Sequence, residues 1–250
     1  MTQAFALSDI GRKRQRQEDS YLIDSARQLY AVADGMGGHA CGAEASRLVV
    51  EAIDRYVTPE RLRAAAGRPD ALEDVLYLAL HEAHSRVQSE ARERRSCQDM
   101  GTTLLLALLD GNMVHVLGVG DGMAYRLGQA GPERLVLAHR APVRTADAWW
   151  MRLDELRAQA RTGHITRYVG QRGALEPCYR RWDLADGDRL LLCTDGLTDQ
   201  LSDSEIHALA CQPKDADVIC RELVRLANER GGEDNITVIV VSGPEPRQTR

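Results

Sequence analysis

The chain has 250 residues, of which 44% are hydrophobic and 28% charged, and its formal net charge is −5. These proportions are typical of a soluble globular protein. The acidic balance lacks the basic excess of nucleic-acid-binding domains, so we expect no nucleic-acid partner. No apolar run is long enough for a signal peptide or a bilayer span, which predicts no membrane insertion and a cytoplasmic location.

The chain contains short apolar runs typical of strands and longer runs with helical spacing. In chain order, the strand-like runs cover residues 20–23, 29–33, 104–109, 113–119, 189–193 and 236–241, and the helix-like runs cover residues 43–57, 71–92, 148–160, 202–210 and 215–229. Asp110-Gly111 separates the third strand from the fourth. Both residues tolerate positive φ, which predicts a β-hairpin.

The order of these elements indicates the fold class. Strands and helices do not alternate one for one, which favours antiparallel sheets flanked by helices, an α+β fold, over a doubly wound parallel sheet. The sequence has no repeat and no low-complexity linker. We therefore expect one domain over residues 1–242, followed by a polar tail over residues 243–250.

Six cysteines are spread through the chain without a C-x-x-C pair. They are Cys41, Cys97, Cys178, Cys193, Cys211 and Cys220. Their spacing and mostly apolar surroundings predict reduced, buried thiols rather than disulfides or a zinc site.

Acidic residues recur where predicted strands end or begin. An Asp followed directly by Gly occurs at three such places, Asp34-Gly35, Asp121-Gly122 and Asp195-Gly196, and Asp234 precedes the last strand. The glycine lets the backbone turn sharply, so the carboxylate projects beyond the sheet edge. One such pair is more often a plain turn, but several side by side would form a negative cluster that needs cations. Oxygen ligands without Cys or His favour Mg²⁺ or Mn²⁺ over zinc.

Six short segments between residues 8 and 241 carry these acids and their neighbours. They are Ser8-Asp9-Ile10-Gly11 with Arg14, Glu18 and Asp19; Ala33-Asp34-Gly35-Met36-Gly37-Gly38-His39; Met100-Gly101-Thr102-Thr103; Gly120-Asp121; Thr194-Asp195-Gly196-Leu197-Thr198-Asp199; and Asp234-Asn235-Ile236-Thr237-Val238. In this order the set resembles the motifs of the PPM/PP2C metal-dependent protein phosphatases, in their bacterial form. The resemblance implies a four-layer α/β/β/α sandwich of two mainly antiparallel sheets, with a metal site at one end.

The resemblance also implies metal ligands, carried over by position. Asp34 would bridge two metal ions, and the Gly35 carbonyl would bind one of them. Asp195 and Asp234 would hold the second ion, and Asp121 would join Asp195 at a weaker third site. The implied cofactors are two or three Mn²⁺ or Mg²⁺ ions.

Arg14, Asp19 and His39 are the candidate catalytic residues that the resemblance implies. Glu18 and Asp19 would act through metal-bound waters, and Arg14 would bind the substrate phosphate, with Arg16 as the alternative in the same basic segment. His39 would either protonate the leaving oxygen as a general acid or hold its own loop through a hydrogen bond.

The implied activity is hydrolysis of phosphoserine and phosphothreonine in proteins by attack of a metal-bridging water on phosphorus. Two metal ions lower the pKa of such a water, and a guanidinium helps to neutralise charge on the phosphoryl oxygens. No protein nucleophile is needed, and no Cys-x5-Arg loop is present. The implied partners are phosphorylated proteins, either a Ser/Thr kinase or its targets, and we expect a monomer.

The sequence departs from the family pattern in three places. Gln17 replaces the usual Asn before Glu-Asp, and Gly122-Met123 replaces a serine and an arginine, which removes a hydroxyl and a cation near the third metal. Residues 139–163 correspond to the family's flap and carry Trp149-Trp150. These tryptophans either pack the flap onto the domain or form an aromatic patch for a protein partner.

Other functions remain alternatives at this point. A two-metal phosphatase for small phosphoesters is compatible with the same acids and would have a deep, closed pocket. A phosphatase-like module that binds phosphoproteins without turnover would lack metal-binding acids, whereas Asp34, Asp195 and Asp234 are all present. A plain α/β scaffold with acidic turns is disfavoured by the ordered motifs.

Overall fold

The computed structural model describes residues 3–37, 41–136, 138–139 and 165–243. The strands are β1 Ala4–Asp9, β2 Asp19–Asp24, β3 Leu29–Met36, β4 Gly101–Thr102, β5 Leu104–Asp110, β6 Met113–Val119, β7 Met123–Gly128, β8 Gly131–Arg134, β9 Cys178–Asp183, β10 Arg189–Cys193 and β11 Ile236–Ser242. The helices are α1 Cys41–Tyr56, α2 Pro59–Ala65, α3 Pro69–Glu93, α4 Asp195–Thr198, α5 Asp203–Ala210 and α6 Ala216–Glu229, and a 3₁₀ turn covers Arg95–Cys97.

The strands form two antiparallel sheets. The first has the order β1-β11-β10-β7-β8, and the second has the order β2-β3-β5-β6-β9, with β4 paired to β3. Helices α1 and α3 cover the outer face of the second sheet, and α5 and α6 cover that of the first. The predicted four-layer sandwich is therefore confirmed.

The longest apolar runs are strands with both faces buried. In β11, Ile236, Val238 and Val240 pack against the helices, whereas Ile239 and Val241 pack between the two sheets. Successive side chains of a strand point to opposite faces, so a strand buried on both sides reads as an unbroken apolar run.

Most predicted elements match the structure in position and type. The predicted strands 113–119 and 189–193 coincide with β6 and β10, and the hairpin between β5 and β6 is confirmed. Its turn lies one residue later than predicted, because Asp110 still pairs with Met113 and only Gly111 of the turn has positive φ, at 63°. The predicted helix 148–160, most of the predicted flap 139–163 and residues 244–250 lie outside the described residues.

The prediction of reduced cysteines is wrong for one pair. Cys41 and Cys97 form a disulfide with their Cα atoms 5.5 Å apart, although 56 residues separate them in sequence. Packing of α1 against α3 brings the start of α1 beside the 3₁₀ turn that follows α3. Local spacing carries no signal for such a long-range pairing. The remaining cysteines have free thiols.

The longest helix of the described residues is α3, with 25 residues. Within the described ranges, no helix is both long enough and apolar enough to cross a membrane.

Candidate active site

Three carboxylates of the first sheet meet at one end of that sheet. Cys193, the last residue of β10, pairs with Met123 of β7 and Val238 of β11. Because the sheet is antiparallel, the end of β10 therefore lies beside the beginnings of its two neighbours. The segments just beyond these ends carry the three side chains, which are Asp121, Asp195 and Asp234.

The second sheet brings two further carboxylates to the same place. Asp19 at the start of β2 lies directly opposite Asp34 near the end of β3. Burial raises the pKa of Asp34 well above its usual value, and the charges of the surrounding carboxylates raise it further; these are Asp19, Asp195, Asp234 and Asp121. Five predicted site residues are thus within electrostatic reach of one another.

The backbone of Asp34 is held by two threonines that were not given a role from the sequence. Thr103 Oγ1 accepts a hydrogen bond from the Asp34 backbone N–H at 2.9 Å, and Thr102 Oγ1 donates to the Asp34 carbonyl at 2.8 Å. The Thr103 backbone N–H donates to the same carbonyl at 2.8 Å. Side-chain and backbone bonds together fix the position of Asp34 at the sheet edge.

Asp19 is the most enclosed carboxylate of the second sheet, with 7% of its surface exposed. Its Oδ2 accepts hydrogen bonds from Thr194 Oγ1 at 3.0 Å and Thr237 Oγ1 at 2.6 Å. Burial raises the pKa of Asp19 to about 7, although these hydroxyls oppose the shift. Its Oδ1 is buried without a hydrogen-bond donor among the described residues. Buried polar atoms are nearly always satisfied, so Oδ1 is an acceptor prepared for a water or another bound group.

Two glycines permit close backbone contacts at the site. A Cβ atom on Gly35 would lie 2.0 Å from the carbonyl oxygen of Gly42 in α1, and one on Gly196 would lie 2.0 Å from that of Asn235. Only glycine fits at such distances. The contacts bring α1 against the Asp34 strand and α4 against the segment that contains Asp234.

Asn235 organises the loop that precedes β2. Its Nδ2 donates to the carbonyls of Ile10 at 2.9 Å and Arg16 at 3.0 Å, and its Oδ1 accepts from the Glu18 backbone N–H at 2.8 Å. The sequence placed Asn235 in a motif without assigning it a task. A buried Asn beside a turn is a weak signal, because such residues also occur in plain turns.

Gln17, where the family usually has Asn, also supports this loop. Its Nε2 donates to Ser8 Oγ at 2.8 Å, and its Oε1 accepts from the Asp19 backbone N–H at 3.1 Å. The longer side chain thus connects β1 to the start of β2.

Arg14 lies beside the carboxylate cluster. Its Nη2 donates to Asp234 Oδ2 at 2.5 Å, and half of its side chain is exposed. Glu18 lies near both Arg14 and Asp234. Burial raises the pKa of Glu18, the charges of Arg14 and Arg16 lower it, and the charge of Asp234 raises it. The ion pair with Asp234 supports Arg14 over Arg16 as the residue that meets a substrate phosphate.

A family model for protein phosphatase 2C matches residues 10–236. The chain belongs to the protein phosphatase 2C family. It is 31% identical over 235 residues to the serine/threonine protein phosphatase PstP of Mycobacterium tuberculosis, covering 94% of this chain and 44% of PstP. It is 30% identical over 240 residues to the protein phosphatase PhpP of Streptococcus pneumoniae, covering 94% of this chain and 95% of PhpP. The chain thus spans less than half the length of PstP but nearly all of PhpP.

Two solved structures show the same fold at similar identity. PppA, described as a key regulatory component of T6SS in Pseudomonas aeruginosa, superposes with a TM-score of 0.81 at 32% identity and covers 96% of each chain. The catalytic domain of PstP in complex with two manganese ions also has a TM-score of 0.81, at 30% identity, and covers 96% of this chain and 97% of its own.

The donor set of this protein phosphatase 2C domain suits a hard divalent cation. The converging side chains offer carboxylate oxygens and no thiol or imidazole, as Mg²⁺ and Mn²⁺ prefer. Among the described residues, no three His, Cys, Asp or Glu side chains are already gathered closely enough to hold an ion. Like charges repel, which accounts for carboxylates that surround Asp34 without closing on a common point. The individual ligand assignments therefore stay predictions.

Two histidines border this phosphatase site in the sequence. His39 lies outside the described residues, so its two predicted roles stay predictions. His139, at the start of the flap, accepts a hydrogen bond on Nδ1 from the Gly120 backbone N–H at 3.2 Å. Burial, followed by the charge of Arg167, lowers the pKa of His139, whereas Asp121 raises it. No sequence pattern indicates this contact beside Asp121.

Proposed function

We propose that this protein is a metal-dependent phosphatase that removes phosphate from phosphoserine and phosphothreonine in proteins. The observation that carries the proposal is the convergence of five carboxylates from both sheets, with Arg14 beside them, at one end of a protein phosphatase 2C fold. Relatives over nearly the whole chain are named as serine/threonine or protein phosphatases.

The proposed ligands for two or three Mn²⁺ or Mg²⁺ ions are Asp34, the Gly35 carbonyl, Asp121, Asp195 and Asp234. The two manganese ions in the catalytic domain of PstP support this assignment. When bound, such ions supply a hydroxide near neutral pH for attack on phosphorus and neutralise charge on the phosphoryl oxygens. The protein positions the carboxylates through the strand ends, so that their negative charge is concentrated where the cations are needed.

Arg14, Glu18 and Asp19 would handle the phosphate and the water. The exposed guanidinium of Arg14 can exchange Asp234 for a phosphate, which it matches with two parallel hydrogen bonds. The buried Asp19 Oδ1 would accept a hydrogen bond from a water and orient it, while Thr194 and Thr237 hold the other oxygen. Glu18, whose pKa responds to both Arg14 and Asp234, would act on a water in the same way.

The proposal includes a biological setting. The names of PstP and PhpP support an enzyme that acts on phosphorylated proteins, and we propose a Ser/Thr kinase or its targets as the substrates. We place this activity in the cytoplasm, where such kinases obtain ATP, and expect a monomer. Light scattering of the purified protein tests the last expectation.

Hydrolysis of p-nitrophenyl phosphate and of a phosphothreonine peptide tests the activity. Each substrate is assayed with Mn²⁺, with Mg²⁺ and with EDTA, for the wild type and for Asp195→Ala. We expect peptide turnover that requires metal and is lost in the variant. Turnover of the small ester alone would support a small-phosphoester phosphatase. No turnover by folded protein with any metal would reject the enzyme and favour a phosphoprotein-binding module.

A further inference from the structure

A polar cavity of about 280 Å³ lies near the active-site end of the second sheet. Its wall consists of the C-terminal part of α3, the segment after the 3₁₀ turn and the turn that follows the flap. The lining residues are Gln88, Ala91, Arg92, Gln98, Gly170 and Arg172. We call it the Arg92–Arg172 cavity.

The lining carries two positive charges and no carboxylate. Among residues 3–37, 41–136, 138–139 and 165–243, the Arg92 side chain makes one long hydrogen bond, from Nη2 to Gln88 Oε1 at 3.4 Å, and neither Arg92 nor Arg172 forms an ion pair with an acid. By contrast, the neighbouring Arg94 is paired with Glu90 and Glu44. In a protein of net charge −5, two guanidinium groups that line one cavity and have no acidic partner in the described part of the chain favour an anionic ligand.

The cavity wall is held by contacts between α3 and the turn after the flap. Gln88 Nε2 donates to the Gln171 carbonyl at 2.7 Å, and the Gly170 backbone N–H donates to His84 Nδ1 at 3.1 Å. Gly170 has φ of 102°, and a Cβ atom there would lie 2.6 Å from a methyl carbon of Val87. The turn is thus locked onto the helix, and the cavity is formed before any ligand arrives.

Backbone pairing connects this wall to the metal-binding segment. Thr102 pairs with Gly35 on one side and forms a β-bridge with Val169 on the other. In this bridge the Thr102 N–H donates to the Val169 carbonyl at 3.1 Å, and the Val169 N–H donates to the Thr102 carbonyl at 2.8 Å. Adjacent strands lie about 4.8 Å apart, so two such steps place Val169 roughly 10 Å from Gly35. An extended peptide advances about 3.3 Å per residue and would cover this distance in about three residues.

We propose that the Arg92–Arg172 cavity is a specificity subsite for an anionic group of the phosphoprotein substrate. The group is an Asp or Glu carboxylate, or a second phosphate, about three residues from the phosphorylated residue. Arg92 and Arg172 bind it, and the amide of Gln98 supplies a further polar contact. This inference rests on the proposed function, because it concerns a substrate held at the metal site.

The test compares kcat/KM on a set of phosphothreonine peptides in the presence of Mn²⁺. One peptide has neutral flanks, others carry a single Glu at each position up to four residues away on either side, and a last group carries a second phosphothreonine instead of Glu. The proteins are the wild type, Arg92→Gln with Arg172→Gln, and Arg86→Gln. The last variant is the matched control, because Arg86 lies on the same helix but does not line the cavity.

We expect wild type and control to prefer peptides with an anion near the third position by roughly tenfold, the scale of one charge-assisted hydrogen bond. The double variant should lose this preference while its hydrolysis of p-nitrophenyl phosphate stays unchanged. The Glu and second-phosphate peptides show which anion is preferred. A fourth protein, Arg172→Glu, carries a single change in an exposed turn and should instead prefer an added peptide with Lys at that position.

Two results would overturn the inference while leaving the proposed function intact. The first is wild-type turnover of every peptide with no preference for an anion, and the second is a preference that persists in the double variant and in Arg172→Glu. Failure of the wild type to hydrolyse any substrate with either metal would reject the proposed function and this inference with it.

Discussion

At the two ends of the β-sandwich, the negative charges of the carboxylates lie in different surroundings. At the end remote from the site, Asp24 and Asp54 share Arg27, whose side chain is only 13% exposed. Arg27 also donates to the carbonyl of Val57 at 2.9 Å. Burial raises the pKa of Asp24, but the hydrogen bonds from Arg27 outweigh it and leave that pKa below its usual value.

At the site end, carboxylates from both sheets lie within electrostatic reach of Asp34. Arg14 pairs with Asp234, while Asp34 is surrounded by other acids and has a strongly raised pKa, first from burial and then from their charges. The same residue type is therefore paired with an arginine at the remote end and surrounded by like charges at the site end, where we propose that metal ions supply the countercharge.

Replacing one carboxylate at the site end with the neutral amide should give the largest difference between the two ends. Asp34→Asn should lower kcat/KM for a phosphothreonine peptide by at least about a thousandfold, because metal ions stabilise transition-state charge by several kcal/mol. The matched control is Asp24→Asn at the remote end, which should retain activity. Comparable losses in both variants would show that the two ends do not differ in function.

The variants Asp34→Asn and Asp24→Asn should also differ in how much a metal ion stabilises them. Mn²⁺ at about 100 times its Kd should raise the free energy of unfolding of the wild type and of Asp24→Asn by about 3 kcal/mol. Asp34→Asn should gain much less, and without metal it should be more stable than the wild type, because it removes the cost of either burying the charge of this carboxyl or protonating it. Thermal unfolding with Mn²⁺ and with EDTA measures both effects. Equal stabilisation of all three proteins would place the metal elsewhere.

The disulfide at the site end should give an effect of similar size, on stability alone. Replacing Cys41 and Cys97 with Ser should lower the free energy of unfolding by about 2–4 kcal/mol, because the cross-link restricts the unfolded chain. Urea unfolding of the oxidised protein gives this value, and Cys211→Ser, at an exposed free thiol, is the control. An unchanged midpoint would mean that the cross-link contributes nothing to stability.

Replacing Arg27 or Arg14 should give the smallest changes in stability, and only one of the two replacements should reduce activity. Arg27→Ala should lower the free energy of unfolding by about 1–3 kcal/mol and retain turnover, because it leaves partly buried acceptors unpaired. Arg14→Ala should change stability by less than about 1 kcal/mol, as for an exposed ion pair, while reducing kcat/KM. Denaturation and kinetics of both variants provide the comparison. A loss of activity in Arg27→Ala at full metal occupancy would contradict the expected difference between the two arginines.

Much of this architecture could be read from the sequence because its signals are local. β6 and β10 are mostly apolar runs bounded by turn residues, and Ser202 is the N-cap of α5 and forms a capping box with Glu205. The acids at strand ends and their order pointed to the family and to one cluster. The short β7, β8 and β9, and helix α2, lacked a comparably clear pattern.

Other features depend on residues that meet only after folding. Thr237 donates to Asp19 across 218 positions of sequence, Asn235 holds a loop 219 positions away, and Cys41 reaches Cys97 through the packing of two helices. The Arg92–Arg172 cavity likewise joins α3 to the turn after the flap. Periodicity and turn chemistry act over a few residues, so they specify which segments become strands and where acids emerge. Which partners those acids find is decided by the packing of distant segments, and that was visible only in the folded structure.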